Sequence, residues 1–375
     1  PMVKIIEATT RKQMKQFAKF PVKLYKNCDY YVPCFVSDEK NIKNPEKNYA
    51  AEGCEVKCFL ALKNGKIVGR VAGIIVEESN RKYNEKKIRF SRFDFIDDEE
   101  VCSALLNAVE NFGRERGMEF LHGPWGFNDT DREGMLTYGF DSGATYATNY
   151  NYDYYPEFMN NLGYEKESEW VEYRFDPSTL DPKVYKAAEF IKKKYGFIEL
   201  SEKMSLKKLI RDYGDKFFDC YNEAYKELDC YVELKGDVKK NVIKQFASVI
   251  NPDYFSCLLD PKTDKVAAFG VAIPAIGKAI TKHRGSFLRS LFQVVREIAK
   301  PTGLELTLIG VAPEYRSTGI NSMIITKIHK NIMKNHISDV VCNPMLVDNA
   351  GILAQWKWVS HEEIKRRQTY IKPIV

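Results

Sequence analysis

The chain contains no run of about 18 apolar residues, so no segment is long enough to cross a bilayer as a helix. Its five histidines form no HxH or HExxH pair, which removes the usual zinc-hydrolase signatures. The nine cysteines include no CxxC pair. Cys28, Cys34, Cys54 and Cys58 lie close in sequence, but with irregular spacing and no neighbouring histidine, so they read as buried thiols rather than zinc ligands. An odd cysteine count scattered through apolar patterns fits reduced thiols in a cytosolic protein better than a disulfide framework. The segment Gly126 to Arg132 lacks the glycine and terminal glutamate of a calcium loop, and no metal is expected. The amino terminus has no apolar signal-peptide core, so a cytoplasmic location is expected. The net charge of +6 is small and spread over many amphipathic segments, which provides no nucleic-acid track. The most basic local stretch, Lys278 to Arg296, reads as a solvated helix face, with an anion-facing role as the alternative. Neither a nucleic acid nor a membrane is expected as a partner.

What is present is an ordinary globular composition, 44% hydrophobic and 29% charged over 375 residues, a length that suggests two domains. A weak internal repeat supports that number. In the first half, Val56–Leu62 and Ile67–Ile75 flank an Asn64-Gly65 hairpin turn. In the second, Tyr254–Leu259 and Val266–Ile273 flank a turn at 260–264. Each hairpin precedes a third strand (Ile88–Phe95, Glu305–Val311), a long helix (Glu99–Arg116, Gly319–Lys334) and another short strand. A further helix and a last strand close each half, ending at Phe175 and Lys372. Asp176 to Pro182 reads as a linker that leads into a bridging helix, Pro182–Tyr195. The expected domains are therefore 1–176 and 197–375, joined by 177–196. The fold class is α/β (α+β), with a mixed, mostly antiparallel sheet and flanking helices in each half.

One turn carries more chemistry than the rest. The β-rich run ending at Val311 meets Pro313, and Arg316-Ser-Thr-Gly-Ile-Asn321 then leads into an apolar, helix-spaced segment. A strand, a glycine-containing turn and a helix start aim unpaired N–H groups at one spot. Such a turn suits a pyrophosphate. Its counterpart in the first half, Ile96-Asp-Asp-Glu-Glu-Val101, would repel one and offers no glycine.

Hairpin, strand, Val311-x-Pro313-x-x-Arg316-x-x-Gly319-Ile320, helix and strand resemble the GNAT N-acetyltransferase superfamily. The turn resembles that family's Q/R-x-x-G-x-G/A pyrophosphate loop, with Asn321 departing at the last position. Asp29-Tyr-Tyr-Val-Pro33, His122 to Asp129, Tyr152 to Pro156 and Leu308 to Tyr315 extend the resemblance to bacterial tandem-GNAT-like proteins. The resemblance implies acetyl-CoA or another acyl-CoA as cofactor, held by Val311, Arg316, Ser317, Thr318, Gly319, Ile320, Asn321 and Asn349. It implies an N-acyltransferase acting on a small-molecule or peptide amine. The alternatives are a non-catalytic CoA-binding protein and an aminoacyl-transferase-like enzyme. Glu305, eleven residues before Arg316, matches the family's general base in spacing, the alternative being a surface carboxylate at a strand start. The family's tyrosine acid is missing: Trp356 stands at its place in the second half and Met159 in the first. The aromatic and acidic stretch from Gly123 to Tyr155 reads either as a substrate-recognising wall, with Trp125, Asn128, Asp129 and Tyr154 as contacts, or as a packed face between the halves.

Overall fold

The structure, a computed structural model, describes residues 2–143, 145–228 and 231–375, so Cys230 lies outside the described residues. It divides into two units. The first comprises Pro1–Val171, Gly277–Phe292 and Ile364–Val375; the second comprises Glu172–Ile276 and Gln293–Glu363.

The chain begins with β1 (Lys4–Glu7), α1 (Arg11–Leu24), α2 (Val36–Glu39), β2 (Cys54–Lys63), β3 (Lys66–Val76) and α3 (Glu77–Tyr83). It continues with β4 (Lys87–Phe95), α4 (Glu99–Glu115), β5 (Phe120–Gly123), β6 (Met135–Tyr138), α5 (Tyr154–Asn161) and β7 (Glu165–Phe175). Asn64 and Gly65 both take positive φ, 52° and 72°, the geometry that lets a two-residue turn follow the twist of β2 and β3. Strands β1 to β4 pair antiparallel in order, and β5 is parallel to β4. Helix α4 repeats Val101, Leu105, Leu106, Val109 and Phe112 along one buried stripe. It packs tightly on β3, where a Cβ added at Gly69 would stand 2.7 Å from Leu105.

The second unit opens with α6 (Lys183–Tyr195), β8 (Ile198–Glu199), α7 (Leu206–Tyr225), α8 (Gly236–Ala247), β9 (Phe255–Asp260) and β10 (Lys265–Pro274). Next come α9 (Gly277–Lys282) and α10 (Phe287–Ala299), of which residues 277–292 belong to the first unit. The second unit resumes with β11 (Gly303–Val311), α11 (Asn321–Lys334), β12 (Asp339–Cys342), β13 (Met345–Leu346) and α12 (Ala350–Ala354). The last strand is β14 (His361–Pro373), which enters the first unit at Ile364. Strands β8 to β11 pair antiparallel and β12 is parallel to β11.

Both halves thus form the hairpin, third strand, helix and short parallel strand expected from the repeat. The closing strands differ from expectation. Tyr370 to Pro373 of β14 pair with Gly123 to Phe120 of β5, whereas Arg174 and Phe175 of β7 pair with Val341 and Val340 of β12. Each half's last strand therefore completes the sheet begun by the other half. Residues 277–292 and 364–375, expected in the second domain, pack with the first unit. Alternation along a strand shows which face is buried, but not which free edge it will join. Among the described residues, no helix is long and apolar enough to cross a membrane. The eight described cysteines are free thiols, and burial pushes Cys58 up to about 12 and Cys34 and Cys54 up to about 11.

Candidate functional site

In the second unit, parallel pairing between β11 and β12 runs from Gly303/Asp339 to Leu306/Cys342. The amide of Asn343 adds one more bond to the Leu306 carbonyl at 2.9 Å. From there β11 continues to Val311 while β12 has ended, so the two strands part. Tyr225, the last residue of α7, donates its hydroxyl to the Ile309 carbonyl at 2.7 Å within this parted stretch. Pro313–Tyr315 then make one tight helical turn, and Arg316 to Ile320 lead into α11.

That loop is anchored from behind. The Tyr315 hydroxyl donates to Asp260 at 2.7 Å and lies 3.0 Å from the Thr263 hydroxyl. The Thr318 hydroxyl donates to the Tyr315 carbonyl and accepts from the Ile320 amide. Gly319 takes φ +84°, a left-handed conformation that a side chain disfavours. Among the described residues, the amides of Ser317, Gly319 and Asn321 donate to no protein acceptor. Three N–H groups without a protein acceptor thus lie at and just before the positive end of a 14-residue helix, the cradle expected from the sequence. Arg316 is a little under half exposed, donates to the Ala224 carbonyl at 3.2 Å and lies 3.8 Å from the Glu227 carboxylate.

The other expected residues fall as follows. Glu305 is 3% exposed, on the paired part of β11, and so is not a surface carboxylate. Asn349 caps α12 by accepting from the Ile352 amide. Trp356 is buried against Phe175, and its indole N–H points at the Met345 sulfur, 3.0 Å away. Asn321, Asn343 and Gln355 each keep a buried side-chain oxygen with no donor among the described residues. Buried polar atoms are usually satisfied, so these three oxygens leave acceptor capacity that the described residues do not fill.

The equivalent place in the first unit is closed. Parallel pairing of β4 and β5 ends at Arg89/His122, and β4 runs on to Phe95. There the Tyr155 hydroxyl accepts from the Phe95 amide at 2.9 Å, and the Tyr154 hydroxyl donates to its carbonyl at 2.6 Å. The following helix start is occupied by its own carboxylate: Asp98 accepts from the Glu100 amide and meets Lys63 at 2.6 Å.

Beside this plug lies a small cavity, partly open to solvent, whose wall includes Cys34, Glu39, Arg70, Arg92, Asp94, Asp131 and Arg132. Arg70 reaches Asp94 at 2.8 Å and Glu39 at 2.9 Å. Arg92 holds Asp131 with two bonds, and its φ of +48° lies at a break in the β3–β4 register. Burial works to raise Glu39 and Asp131, yet the arginines hold both below the usual carboxylate range. Asp94 goes the other way, raised by burial despite Arg70. None of Trp125, Asn128, Asp129 and Tyr154 lines this cavity. The Trp125 indole donates to Glu167 at 3.3 Å, and Asn128 accepts from Thr130 within its own turn. Tyr31, Arg92 and Arg132 do line it. Sequence reading missed them because they come from three separated segments with no common motif.

Burial pushes the Asp129 carboxyl up to about 7. Its folded value therefore exceeds its unfolded value near 4, and the carboxylate costs stability as pH rises between the two. Asp129→Asn is expected to stabilise the protein by about 1–3 kcal/mol at pH 8 and to be neutral at pH 4. Urea unfolding at both pH values checks this; equal effects at both would contradict it.

No family model matches the sequence. Comparison with solved structures decides the architecture. A tandem GNAT protein from the clavulanic acid biosynthesis pathway superposes with a TM-score of 0.60 over 100% of this chain and 99% of that one, at 9% identity. This is the tandem GNAT fold. A GCN5-related N-acetyltransferase from Sphaerobacter thermophilus superposes with a TM-score of 0.51 over 99% of this chain and 96% of that one, also at 9% identity. By sequence, the chain is similar to protein YghO of Escherichia coli (strain K12), 24% identical over 383 residues that cover 97% of this chain and 94% of that one. It is also 25% identical over 183 residues to the bacterial ceramide synthase of Caulobacter vibrioides (strain NA1000 / CB15N). That match spans 48% of this chain and 47% of the relative. The two units of this fold differ at the parted strand: Tyr154 and Tyr155 bond Phe95 in the first, whereas Tyr225 bonds the Ile309 carbonyl in the second.

Proposed function

We propose that the protein is an acyl-CoA-dependent N-acyltransferase whose cofactor lies on the second unit. The observation that carries this reading is the parted end of β11 leading directly into three unengaged amides at the start of α11. The loop from Arg316 to Asn321 would hold the pyrophosphate, and the orphan oxygens of Asn343 and Gln355 suit the amide N–H groups of a pantetheine arm. Bound there, an acyl-CoA would supply its thioester carbonyl as the acyl donor, with CoA thiolate as the leaving group. Glu305, buried on the paired part of β11, would take the proton from the acceptor nitrogen. Trp356 cannot protonate a leaving thiolate, because an indole N–H is far too weak an acid. Tyr225, carried by α7 rather than by the final helix, is the alternative phenol, and its proton would have to leave the Ile309 carbonyl to reach a thiolate.

An apolar cleft, partly open to solvent, borders β11 in the same unit, walled by α7 and α8 and by Phe255, Val271 and Leu308. Its lining is carbon, with no polar atom opening into it, which suits a hydrocarbon acyl chain. The name of the Caulobacter relative fits, since a ceramide is the amide formed by acylating the nitrogen of a long-chain amino alcohol. Thiol release from acetyl-CoA and palmitoyl-CoA, measured against a panel of amines including long-chain amino alcohols, tests the reading. Glu305→Gln is expected to lower kcat by at least about 100-fold while leaving CoA affinity unchanged. CoA binding without thiol release for any amine would leave a non-catalytic binder, the reading that Trp356 favours.

A further inference from the structure

Helix α10 carries its apolar face outward. Phe287, Leu288, Leu291 and Phe292 are 50%, 82%, 42% and 79% exposed, and Val295 extends the stripe at 55%. At about 100° per residue these five fall on one arc of the helix. The inward side holds polar groups: Ser290 is fully buried and donates to the Ser286 carbonyl. Glu297 is only partly exposed and accepts from the amide and hydroxyl of Thr302. A helix packed only on its own protein would place these faces the other way round. Contiguous exposed aromatic and aliphatic side chains of this kind mark an interaction surface.

Charge identifies what covers it. Between residues 278 and 300, Lys278, Lys282, Arg284, Arg289, Arg296 and Lys300 stand against Glu297 alone. All six bases are exposed. Arg289 and Arg296 border the apolar arc, and Arg284 lies just before the helix. A second copy docked through this stripe about a twofold axis would bring the two basic sets together, which is repulsive. Nucleic acid would meet the bases but would leave the aliphatic residues uncovered. An anionic phospholipid surface satisfies both features, taking the apolar arc below its headgroups and the bases among its phosphates. We infer that α10 docks the protein peripherally on an anionic membrane, Phe287, Leu288, Leu291 and Phe292 being the inserted residues. This departs from the membrane-free expectation drawn from the sequence. It does not depend on the cofactor reading.

Co-sedimentation of the full chain with vesicles of phosphatidylcholine, and of phosphatidylcholine with about one quarter phosphatidylglycerol, tests the inference. Binding to the anionic vesicles is expected to be at least about tenfold tighter and to weaken with salt. Leu288→Glu/Phe292→Glu and Arg284→Glu/Arg289→Glu should each reduce it at least about tenfold. All four positions are exposed, so circular dichroism and Tm should match the parent. A Phe292→Trp reporter should shift its emission to the blue on anionic vesicles, which loss of folding would not produce. The inference is overturned if the parent binds neither vesicle. It is equally overturned if sedimentation velocity shows a self-associated species that Leu288→Glu/Phe292→Glu dissolves.

Discussion

Gly319→Asp is expected to weaken CoA binding by about 100-fold or more while lowering thermal stability only slightly. The residue sits at φ +84° between the amides of Ser317 and Asn321, and a Cβ there meets only Ile191 at 3.5 Å. Space is therefore available, and aspartate tolerates the left-handed region better than most side chains. What changes is charge. A carboxylate at the mouth of the cradle can take the N–H groups for itself, as Asp98 does at the start of α4, and repels a pyrophosphate at short range. Gly319→Asn is the control, with similar shape and backbone preference but no charge; it should lose no more than about tenfold. Isothermal titration with CoA checks both. Equal losses in the two variants would show that the loop acts by shape alone, and no loss in either would remove it from the cofactor site.

Arg70→Met is expected to destabilise the first unit by about 3–5 kcal/mol. The guanidinium side chain is 5% exposed, bonded to Asp94, Glu39 and the Phe17 carbonyl, and lies over the Phe17 ring. Methionine keeps much of the packing but leaves two buried carboxylates short of their cation. Glu39 retains only the longer contact to Arg92 at 3.4 Å, and Asp94 the Tyr25 hydroxyl at 3.4 Å. The pH dependence has a defined sign. Asp94 is already raised by burial, and losing Arg70 raises it further above its unfolded value. Its charged form then costs more as pH rises, so the variant's deficit should be larger at pH 8 than at pH 5. Urea unfolding that showed a loss below about 1 kcal/mol, or a deficit that grew as pH fell, would contradict this account.

These two sites differ in how far the sequence disclosed them. The loop at Arg316 to Asn321 was legible because strand, proline, glycine and helix follow one another within a few residues, and each imposes a local backbone preference. The hairpins and α4 were legible for the same reason, through an Asn-Gly turn and a helical apolar period. Nothing local relates Arg70, Glu39, Arg92 and Asp131, which meet because α2, β3, β4 and the loop after β5 converge. Placement of β14 beside β5 was likewise hidden, since edge pairing is a backbone property shared by many sequences. The missing tyrosine acid was visible as an absence at Trp356, whereas the contact of Tyr225 on α7 with the Ile309 carbonyl joins residues 84 positions apart and leaves no local signal.

The central claim is that an acyl-CoA sits on the second unit at the start of α11 and not at the corresponding place in the first. Amide hydrogen exchange read by mass spectrometry, with and without saturating CoA, tests it most directly. The account predicts slowed exchange in peptides covering residues 316–322, with no change in those covering 96–101. Unchanged exchange at 316–322, or protection confined to 96–101, would contradict it.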